Sequence, residues 1–321
     1  MREPATPPAY RTATDASQER HEWARGPMVV PPGPSPIDLH THTLRSDGIL
    51  TPEALVGQAA AVGVRLLSIT DHDTLAGVRE LRRSGLPAGL ELLPGVEINA
   101  VAGDRADLRD EEIHVLGIGV DADDDAFEAV LAAQRDSRRQ RFDRMVDRLR
   151  ELELPIDREL EDQPATDDEH ALGRPRVARA MMQCGYVTSL DDAFNRYLSR
   201  GRPAYVPRDG IGPIEAIRII SAARGVPVLA HFAEAPRRMD VIRELMAAGL
   251  RGLEVFYRTY DQGTVEILRS IAVNLRLVAT GGSDYHGDRE TYAQAHAQLW
   301  VPPAVEAPLR AAMATAAEAA A

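Results

Sequence analysis

Six of the nine histidines lie in or just after short apolar runs that are typical of buried β-strands. A single buried histidine is usually a satisfied core residue, but six of them beside three similarly placed carboxylates favour a metal-binding site. Mixed imidazole and carboxylate ligands suit Mn²⁺, Fe²⁺ or Zn²⁺ better than Mg²⁺ or Ca²⁺, which prefer all-oxygen ligands. The histidines are His40, His42, His72, His114, His231 and His286, and the carboxylates are Asp47, Glu97 and Asp284.

The spacing of the first two histidines predicts half of such a site. His40 and His42 are one residue apart, and alternate residues of an extended strand point to the same face. Asp284 and His286 repeat this spacing near the other end of the chain. The spacing therefore predicts a preformed part of a metal site at this strand end.

An alternation of apolar runs and helix-like segments must position these residues. The predicted strands span 65–70, 90–93, 113–118, 226–230, 252–256 and 275–279. The predicted helices between them span 52–61, 213–223, 239–248 and 264–272. This order indicates an α/β fold with a mostly parallel sheet, either open or closed as a barrel. Because parallel strands share one carboxyl-terminal edge, we expect the candidate ligands to meet there.

Residues 121–201 interrupt the alternation and are interpreted as a helical insertion into a main domain of residues 37–120 and 202–321. A long helix is predicted over 124–151, with shorter helices over 174–184 and 190–199. The charge run from Arg135 to Arg150 is interpreted as a solvated face of the long helix. The alanine-rich end, 311–321, is interpreted as a frayed helix or a tail.

Composition excludes several chemistries. The 321 residues carry 37 basic and 49 acidic side chains, a formal net charge of −12, which disfavours sequence-independent binding to duplex DNA. The chain contains no lysine, so Schiff-base chemistry, a P-loop lysine and a carbamylated-lysine metal bridge are excluded. Its single cysteine, Cys184, excludes an intramolecular disulfide and a cysteine-based zinc cluster.

The first 36 residues are predicted to be a disordered leader, because they contain eight prolines and little apolar periodicity. No stretch approaches the roughly 20 apolar residues that cross a bilayer. The leader also lacks the apolar core of a signal peptide. We therefore expect a cytoplasmic protein that does not contact membranes.

Taken together, the motifs resemble the PHP (polymerase and histidinol phosphatase) superfamily over residues 37–287. The matching motifs are His40-Thr41-His42, Ser46-Asp47-Gly48, Asp71-His72-Asp73, Pro94-Gly95-Val96-Glu97, His114, Ala230-His231 and Gly282-Ser283-Asp284-Tyr285-His286. The resemblance implies a distorted seven-stranded (β/α) barrel with a helical insertion as a substrate cap, and a cluster of two to three divalent ions.

The resemblance also implies a ligand set. The implied ligands are His40, His42, Glu97 and Asp284 for one ion, Glu97, His114 and His231 for a second, and Asp47, His72 and His286 for a third. The implied catalytic residues are Asp47, His72, Glu97, His231, Asp284 and His286.

Two segments that flank the end of the insertion indicate which members of the superfamily the chain resembles most. Leu172-Gly173-Arg174-Pro175 and Gly201-Arg202-Pro203-Ala204-Tyr205-Val206-Pro207 are similar to those of 3′,5′-nucleoside bisphosphate phosphatases and 5′–3′ exoribonucleases. Arg174 and Arg202, and less strongly Arg176, are therefore candidates for binding substrate phosphate, although solvated surface arginine is the alternative. Arg176 and Phe232 replace the histidine and the proline that the family usually has.

The function implied is metal-dependent hydrolysis of a phosphate ester. The substrate would be a nucleoside 3′,5′-bisphosphate, which loses its 3′-phosphate, or a short 5′-phosphorylated single-stranded RNA. A histidinol-phosphate-type phosphatase would not need the insertion, and a non-catalytic metal-stabilised scaffold would have eroded ligands. Metal-dependent C–N hydrolysis is disfavoured by the lack of lysine. The oligomeric state is not determined by the sequence.

The sequence also suggests roles for two aspartates, one tyrosine and the cysteine. Asp71 and Asp73 flank His72 and could accept hydrogen bonds from it, or Asp73 could cap the following helix. Tyr205 could stack on a base, but core packing is favoured. Cys184 is interpreted as a packing residue.

The leader prediction can be tested by truncation. A chain that begins at Pro34 should keep both its melting temperature and its turnover, since no apolar period in the removed residues indicates packing. Precipitation or loss of activity would place the leader within the packed fold.

Overall fold

The computed structural model describes residues 34–102, 112–163, 166–287 and 289–319. Seven strands form one sheet in chain order. The strands are β1 Ile37–Asp38, β2 Leu66–Ile69, β3 Glu91–Val101, β4 Glu112–Ile118, β5 Val226–Leu229, β6 Gly252–Tyr257 and β7 Val278–Gly282. The helices are α1 Pro52–Ala61, α2 Ala76–Ser84, α3 Asp125–Glu151, α4 Asp157–Glu161, α5 Arg174–Gln183, α6 Leu190–Ala193, α7 Pro213–Ala222, α8 Met239–Ala247, α9 Gln262–Leu275, α10 Tyr292–His296 and α11 Glu306–Ala319.

Hydrogen bonds between the segment that follows β1 and the end of β7 with its following residues close the sheet into a barrel. The Leu39 N–H donates to Gly281 O at 3.0 Å, and the His42 N–H donates to Tyr285 O at 3.0 Å. Asp284 N–H donates to His40 O at 2.7 Å. The predicted seven-stranded α/β barrel is therefore confirmed, and its closure lies directly at the predicted metal-binding motifs.

Strand β4 is the exception to the predicted parallel order. It runs antiparallel to both β3 and β5, whereas the remaining neighbours in the sheet are parallel. The ladder with β4 extends β3 to Val101, so Glu97 lies inside a strand and does not end one. Because β4 is reversed, His114 near its start reaches the carboxyl-terminal edge of the parallel strands.

Local signals explain where two elements begin and end. Thr51 accepts a hydrogen bond from Ala54 N–H and Pro52 occupies the first helical position of α1, as predicted. The predicted strand over 275–279 is wrong in its first residues, because α9 continues to Leu275. Arg276 then ends this helix in a left-handed conformation with φ of 58°.

The described residues form two hydrophobic cores, and α3 contributes to both. Phe127 and Leu131 pack in the barrel core, while Phe142 and Met145 pack in a second core with α5 and its neighbours. The described part of 121–201 contains helices and no strand, as the sequence predicts. None of the helices in the described ranges is long and apolar enough to cross a membrane.

The arginines from Arg144 to Arg150 are exposed, as predicted for the charge run, but a second face of α3 is not solvated, so the interpretation was wrong for that face. Arg135, Arg138 and Arg141 are buried. Arg135 donates to Asp168 O at 2.8 Å, and Arg141 donates to Val206 O at 2.8 Å. These bonds partly compensate the guanidinium groups for the loss of water on burial. The arginines therefore attach the helix to the surrounding fold.

The predicted leader falls outside the described residues as far as residue 33, but its last residues are packed. Ser35 is buried, donates to Ile37 O at 2.7 Å and accepts from Val301 N–H at 3.2 Å. Its carbonyl lies 2.9 Å from His296 Nε2. The packed fold therefore begins before the predicted boundary at residue 36.

The close approach of β7 to the first metal-binding motif gives a test of the fold. A Cβ atom at Gly282 would overlap the Cβ atom and backbone nitrogen of His40. Gly282→Ala should therefore lower the free energy of unfolding by about 1–3 kcal/mol through overpacking. Urea denaturation measures the change.

Gly57→Ala is the matched control, because a Cβ atom there has nothing within 4 Å on the exposed face of α1. This variant should be unchanged or about 0.5–1 kcal/mol more stable. Equal stability of the Gly282 variant and the wild type would contradict the close approach.

Candidate metal centre

The candidate ligands meet at the carboxyl-terminal edge of the barrel. The segment after β1 carries His40 and His42, whose ring centroids lie 5.2 Å apart and whose side chains are fully buried. Glu97 comes from β3 and His114 from the paired strand β4. His231 follows β5. Because these strands are neighbours in one sheet, candidate ligands that are far apart in the sequence lie close together.

The structure brings all nine sequence-predicted ligands into three overlapping groups, within each of which the donor atoms lie no more than 4.8 Å apart. The groups are His42, Asp47, His72 and His286; His40, His42, Glu97 and Asp284; and Glu97, His114 and His231. These groups match the implied sets, with the difference that His42 belongs to two of them.

Glu97 is at the centre of the cluster and is 1% exposed. Its Oε2 atom lies 3.2 Å from His40 Nε2, 3.1 Å from His42 Nε2 and 3.1 Å from His72 Nδ1. Its Oε1 atom lies 2.7 Å from His114 Nδ1 and 3.2 Å from His231 Nε2. Each carboxylate oxygen can therefore serve a different donor group.

Several donor atoms fit a metal ion better than a hydrogen bond. Within the described residues, four buried atoms of the cluster have no hydrogen-bond partner: His42 Nε2, Asp47 Oδ1, His72 Nδ1 and Asp284 Oδ1. His42 Nε2 nevertheless lies 3.2 Å from Asp284 Oδ1. Ligands about 2.0–2.2 Å from one ion are separated by about 3–3.5 Å. The observed spacing therefore suits atoms that share an ion.

Hydrogen bonds behind the imidazoles orient two of them. His286 Nδ1 lies 3.0 Å from the carbonyl oxygen of Asp284, which can only accept. His42 Nδ1 lies 3.4 Å from Ser46 Oγ, whose own hydrogen is donated to Asp71 Oδ1. Both rings therefore carry the proton on Nδ1 and turn the Nε2 lone pair toward the cluster.

Electrostatics keep the carboxylates of the cluster ionised. Burial opposes ionisation of Glu97, but the charges of His40 and His72 hold its pKa well below the usual value. Burial also disfavours the charged form of His114, yet Glu97 and Glu112 raise the pKa of His114 to about 9. Ionised carboxylates are the form that binds metal ions.

A cavity of about 960 Å³ opens onto this cluster. Its lining includes Asp47, His72, His114 and His231 from the candidate metal centre. The same lining includes four arginines: Arg138, Arg141, Arg174 and Arg208. A cavity with both kinds of lining can bind a substrate with more than one anionic group.

Asp73 organises two of these arginines. Its Oδ2 atom accepts from Arg138 Nε and from Arg208 Nη2, each at 2.6 Å. Asp73 therefore binds the arginines and does not cap α2, whose N-cap is Leu75. Asp71 likewise accepts from Thr43 and Ser46, so neither aspartate takes the role expected beside His72.

Of the three predicted phosphate-binding arginines, Arg174 alone lines the cavity. It is the first residue of α5, and its guanidinium lies 5.3 Å from the centroid of the Phe194 ring. Arg176 is half-buried in the same turn and outside the lining. Arg202 is exposed and also outside it.

The sequence reasoning missed Arg138, Arg141 and Arg208. The available signal was helical spacing, because Arg135, Arg138 and Arg141 recur every three residues and so share a face of α3. Tyr205 is 8% exposed and packs in the interior outside the cavity lining, which confirms the favoured interpretation. Cys184 packs at the edge of the second core.

Comparison with known proteins agrees with this geometry. The family model of the PHP domain matches residues 38–183. The chain is 34% identical over 285 residues to the 5′-3′ exoribonuclease Rnm of Escherichia coli, covering 84% of this chain and 91% of the relative. It is 30% identical over 264 residues to the 3′,5′-nucleoside bisphosphate phosphatase of Chromobacterium violaceum, covering 79% and 88%.

A solved structure from Bifidobacterium adolescentis, assigned as a metal-dependent phosphoesterase, superposes with a TM-score of 0.76 at 30% identity. The superposition covers 88% of this chain and 98% of that structure. The sequence similarity and the fold similarity both extend over most of this chain, and the donor groups are those expected of a metal-dependent enzyme. The chain belongs to the PHP family of metal-dependent phosphoesterases.

Proposed function

We propose that the protein removes one phosphate from a nucleotide that carries phosphate at two positions. The best candidate is a nucleoside 3′,5′-bisphosphate, which would release its 3′-phosphate and leave the nucleoside 5′-monophosphate. The relative from Chromobacterium violaceum, which is named for this substrate, supports the proposal.

The observation that carries the proposal is the mixed lining of the cavity. The candidate metal centre can hold only the phosphate that reacts, so a second phosphate needs its own cations. Arg138, Arg141, Arg174 and Arg208 supply them within a chain whose net charge is −12. Arginine binds phosphate through paired, charge-assisted hydrogen bonds.

Bound divalent ions would lower the pKa of water and polarise the reacting phosphate. The side chains supply oxygen atoms that could bind such ions. Glu97 offers one oxygen to each of two donor groups. Tyr257 donates to Asp284 Oδ2 at 2.7 Å, which leaves Asp284 Oδ1 facing the cluster. Arg174, on the first turn of α5, would neutralise the phosphate that is not cleaved.

The helical insertion is proposed to form the cap of the cavity. Arg179 of α5 donates to Asp47 O at 2.5 Å, and Ala171 N–H donates to Arg45 O at 3.0 Å. Thr74 donates to Glu169 O at 2.8 Å. These bonds support a cap that is attached beside the ligand-bearing loops and brings Arg174 into the cavity lining.

Short 5′-phosphorylated RNA is the second candidate, because the relative from Escherichia coli is named a 5′-3′ exoribonuclease. Both substrates would give a nucleoside 5′-monophosphate, but only the bisphosphate would also release inorganic phosphate. A panel of both substrates, with histidinol phosphate as the alternative monoester, separates the three activities when Mn²⁺, Zn²⁺ or Fe²⁺ is added.

The proposed ligand set predicts that the purified protein binds two to three divalent ions. Glu97→Gln should weaken binding or activity by at least about 10–100-fold, since even changes behind the ligands have that effect. Elemental analysis and chelator competition measure occupancy and affinity. Glu91→Gln, at the exposed start of the same strand, is the control and should behave as wild type. Less than one tight ion after reconstitution of the wild type would contradict the ligand set.

The proposed phosphate clamp predicts a substrate-dependent defect. Charge-assisted contacts contribute about 1.5–3 kcal/mol, so Arg174→Ala should lower kcat/KM for adenosine 3′,5′-bisphosphate by about 10- to 150-fold. The effect on p-nitrophenyl phosphate should be small, because this monoester has no second phosphate. Steady-state phosphate release measures both.

Arg202→Ala is the matched control, because Arg202 is exposed and does not line the cavity. It should leave both substrates unaffected. Equal losses on both substrates in the Arg174 variant would place that guanidinium on the reacting phosphate. Unchanged kinetics on both would remove Arg174 from the substrate site.

A further inference from the structure

Glu254 is a fully buried carboxylate that lies directly behind the candidate metal centre. It belongs to β6, where the pairing with β7 shifts register between Glu254 and Phe256. Such a bulge changes the direction of the neighbouring side chains. Glu254 is not among the nine candidate ligands, so its role is separate from theirs.

The two oxygens of Glu254 contact two different donor groups of the centre. Oε1 lies 3.0 Å from His40 Nδ1, and Oε2 accepts from the His231 backbone N–H at 2.7 Å. His40 belongs to the group with Asp284, and His231 to the group with His114. One carboxylate thus sets the position of two groups at once.

Both partners of Glu254 are donors when the centre is able to bind ions. The His231 N–H can only donate. His40 Nε2 faces Glu97 at 3.2 Å and Asp284 at 3.3 Å, so its lone pair is free for an ion only if the ring proton is on Nδ1. Two donors require two acceptor oxygens, which a carboxylate has and an amide lacks.

The backbone at His231 explains why its N–H needs a fixed acceptor. His231 has a φ of 28°, in the left-handed region that a residue with a side chain rarely adopts. This conformation directs the peptide N–H to Glu254 while Nε2 lies 3.1 Å from His114 Nδ1. The hydrogen bond therefore holds a strained turn that positions the ring.

We propose that Glu254 is a positioning residue that fixes the Nδ1-protonated form of His40 and the backbone turn at His231, and thereby keeps two metal subsites in register. This inference rests on the ligand roles proposed for His40 and His231. It predicts that tight metal binding requires both carboxylate oxygens of Glu254, and that an uncharged side chain of the same volume does not replace them.

Glu254→Gln tests the inference with almost no change of volume. If the new amide NH₂ faces His40, the ring must carry its proton on Nε2, which blocks that subsite. If the NH₂ faces His231, two donors meet and the turn must shift. In either case at least one ion should bind about 10–100-fold more weakly, in the range found for residues that orient ligands.

Metal content after dialysis and competition with a zinc chelator measure this change without any substrate. Glu91→Gln is again the control, since it makes the same substitution at an exposed position of another strand. A Glu254→Gln protein that is folded by near-ultraviolet circular dichroism and binds every ion with wild-type affinity would overturn the inference.

A measurement on the wild-type protein decides the case in which the variant does not fold. In zinc-loaded protein with ¹⁵N-labelled histidine, the His40 signal, assigned by its loss in His40→Asn, should show a proton on Nδ1. A proton on Nε2 of His40 would overturn the inference.

The outcomes separate the inference from the proposals on which it depends. If His40→Ala and His231→Ala both keep full metal content, the ligand roles are wrong and the inference falls with them. If these variants lose ions while the wild type shows no activity on nucleotides, the substrate proposal fails. In that case the metal-affinity effect of Glu254→Gln still decides the role of Glu254.

Discussion

The arrangement of the site depends on one buried carboxylate, Glu97, which lies within 3.2 Å of nitrogens from five different imidazole rings. A charged group without water is strongly destabilising unless other charges and dipoles surround it. The histidines provide this compensation in the protein itself, and divalent ions provide it in the loaded enzyme. Because Glu97 faces several rings at once, displacement of any one strand would disturb more than one donor group.

Two features of the barrel make this concentration of ligands possible. The closure between the segments after β1 and β7 places His40 beside Asp284, although 244 positions separate them in the sequence. The reversal of β4 places His114 at the same edge as the ends of the parallel strands. In a parallel orientation, a residue near the start of β4 would lie at the opposite edge of the barrel. The direction of β4 therefore decides whether His114 can join the candidate metal centre.

Under the proposed function, the buried arginines of α3 would bind the second phosphate of the substrate. Arg138 and Arg208 are held by Asp73, which adopts a left-handed conformation with φ of 50° directly after the candidate ligand His72. This single backbone position therefore connects the metal-binding loop to the cations of the cavity. Fixed guanidinium groups bind phosphate with a smaller loss of side-chain entropy than mobile surface arginines. The same face attaches α3 to the surrounding fold and lines the cavity with Arg138 and Arg141.

The sequence by itself determined the α/β class of the fold, six of the seven strands and the nine candidate ligands, because apolar runs and strand-end motifs carry local information. It did not determine the direction of β4, the burial of the α3 arginines or the role of Glu254. These depend on which element packs against which, and local spacing contains no information about such contacts. Arg138 and Arg202 show the difference: both are arginines in a charged sequence context, yet only packing decided that the first lines the cavity and the second faces solvent.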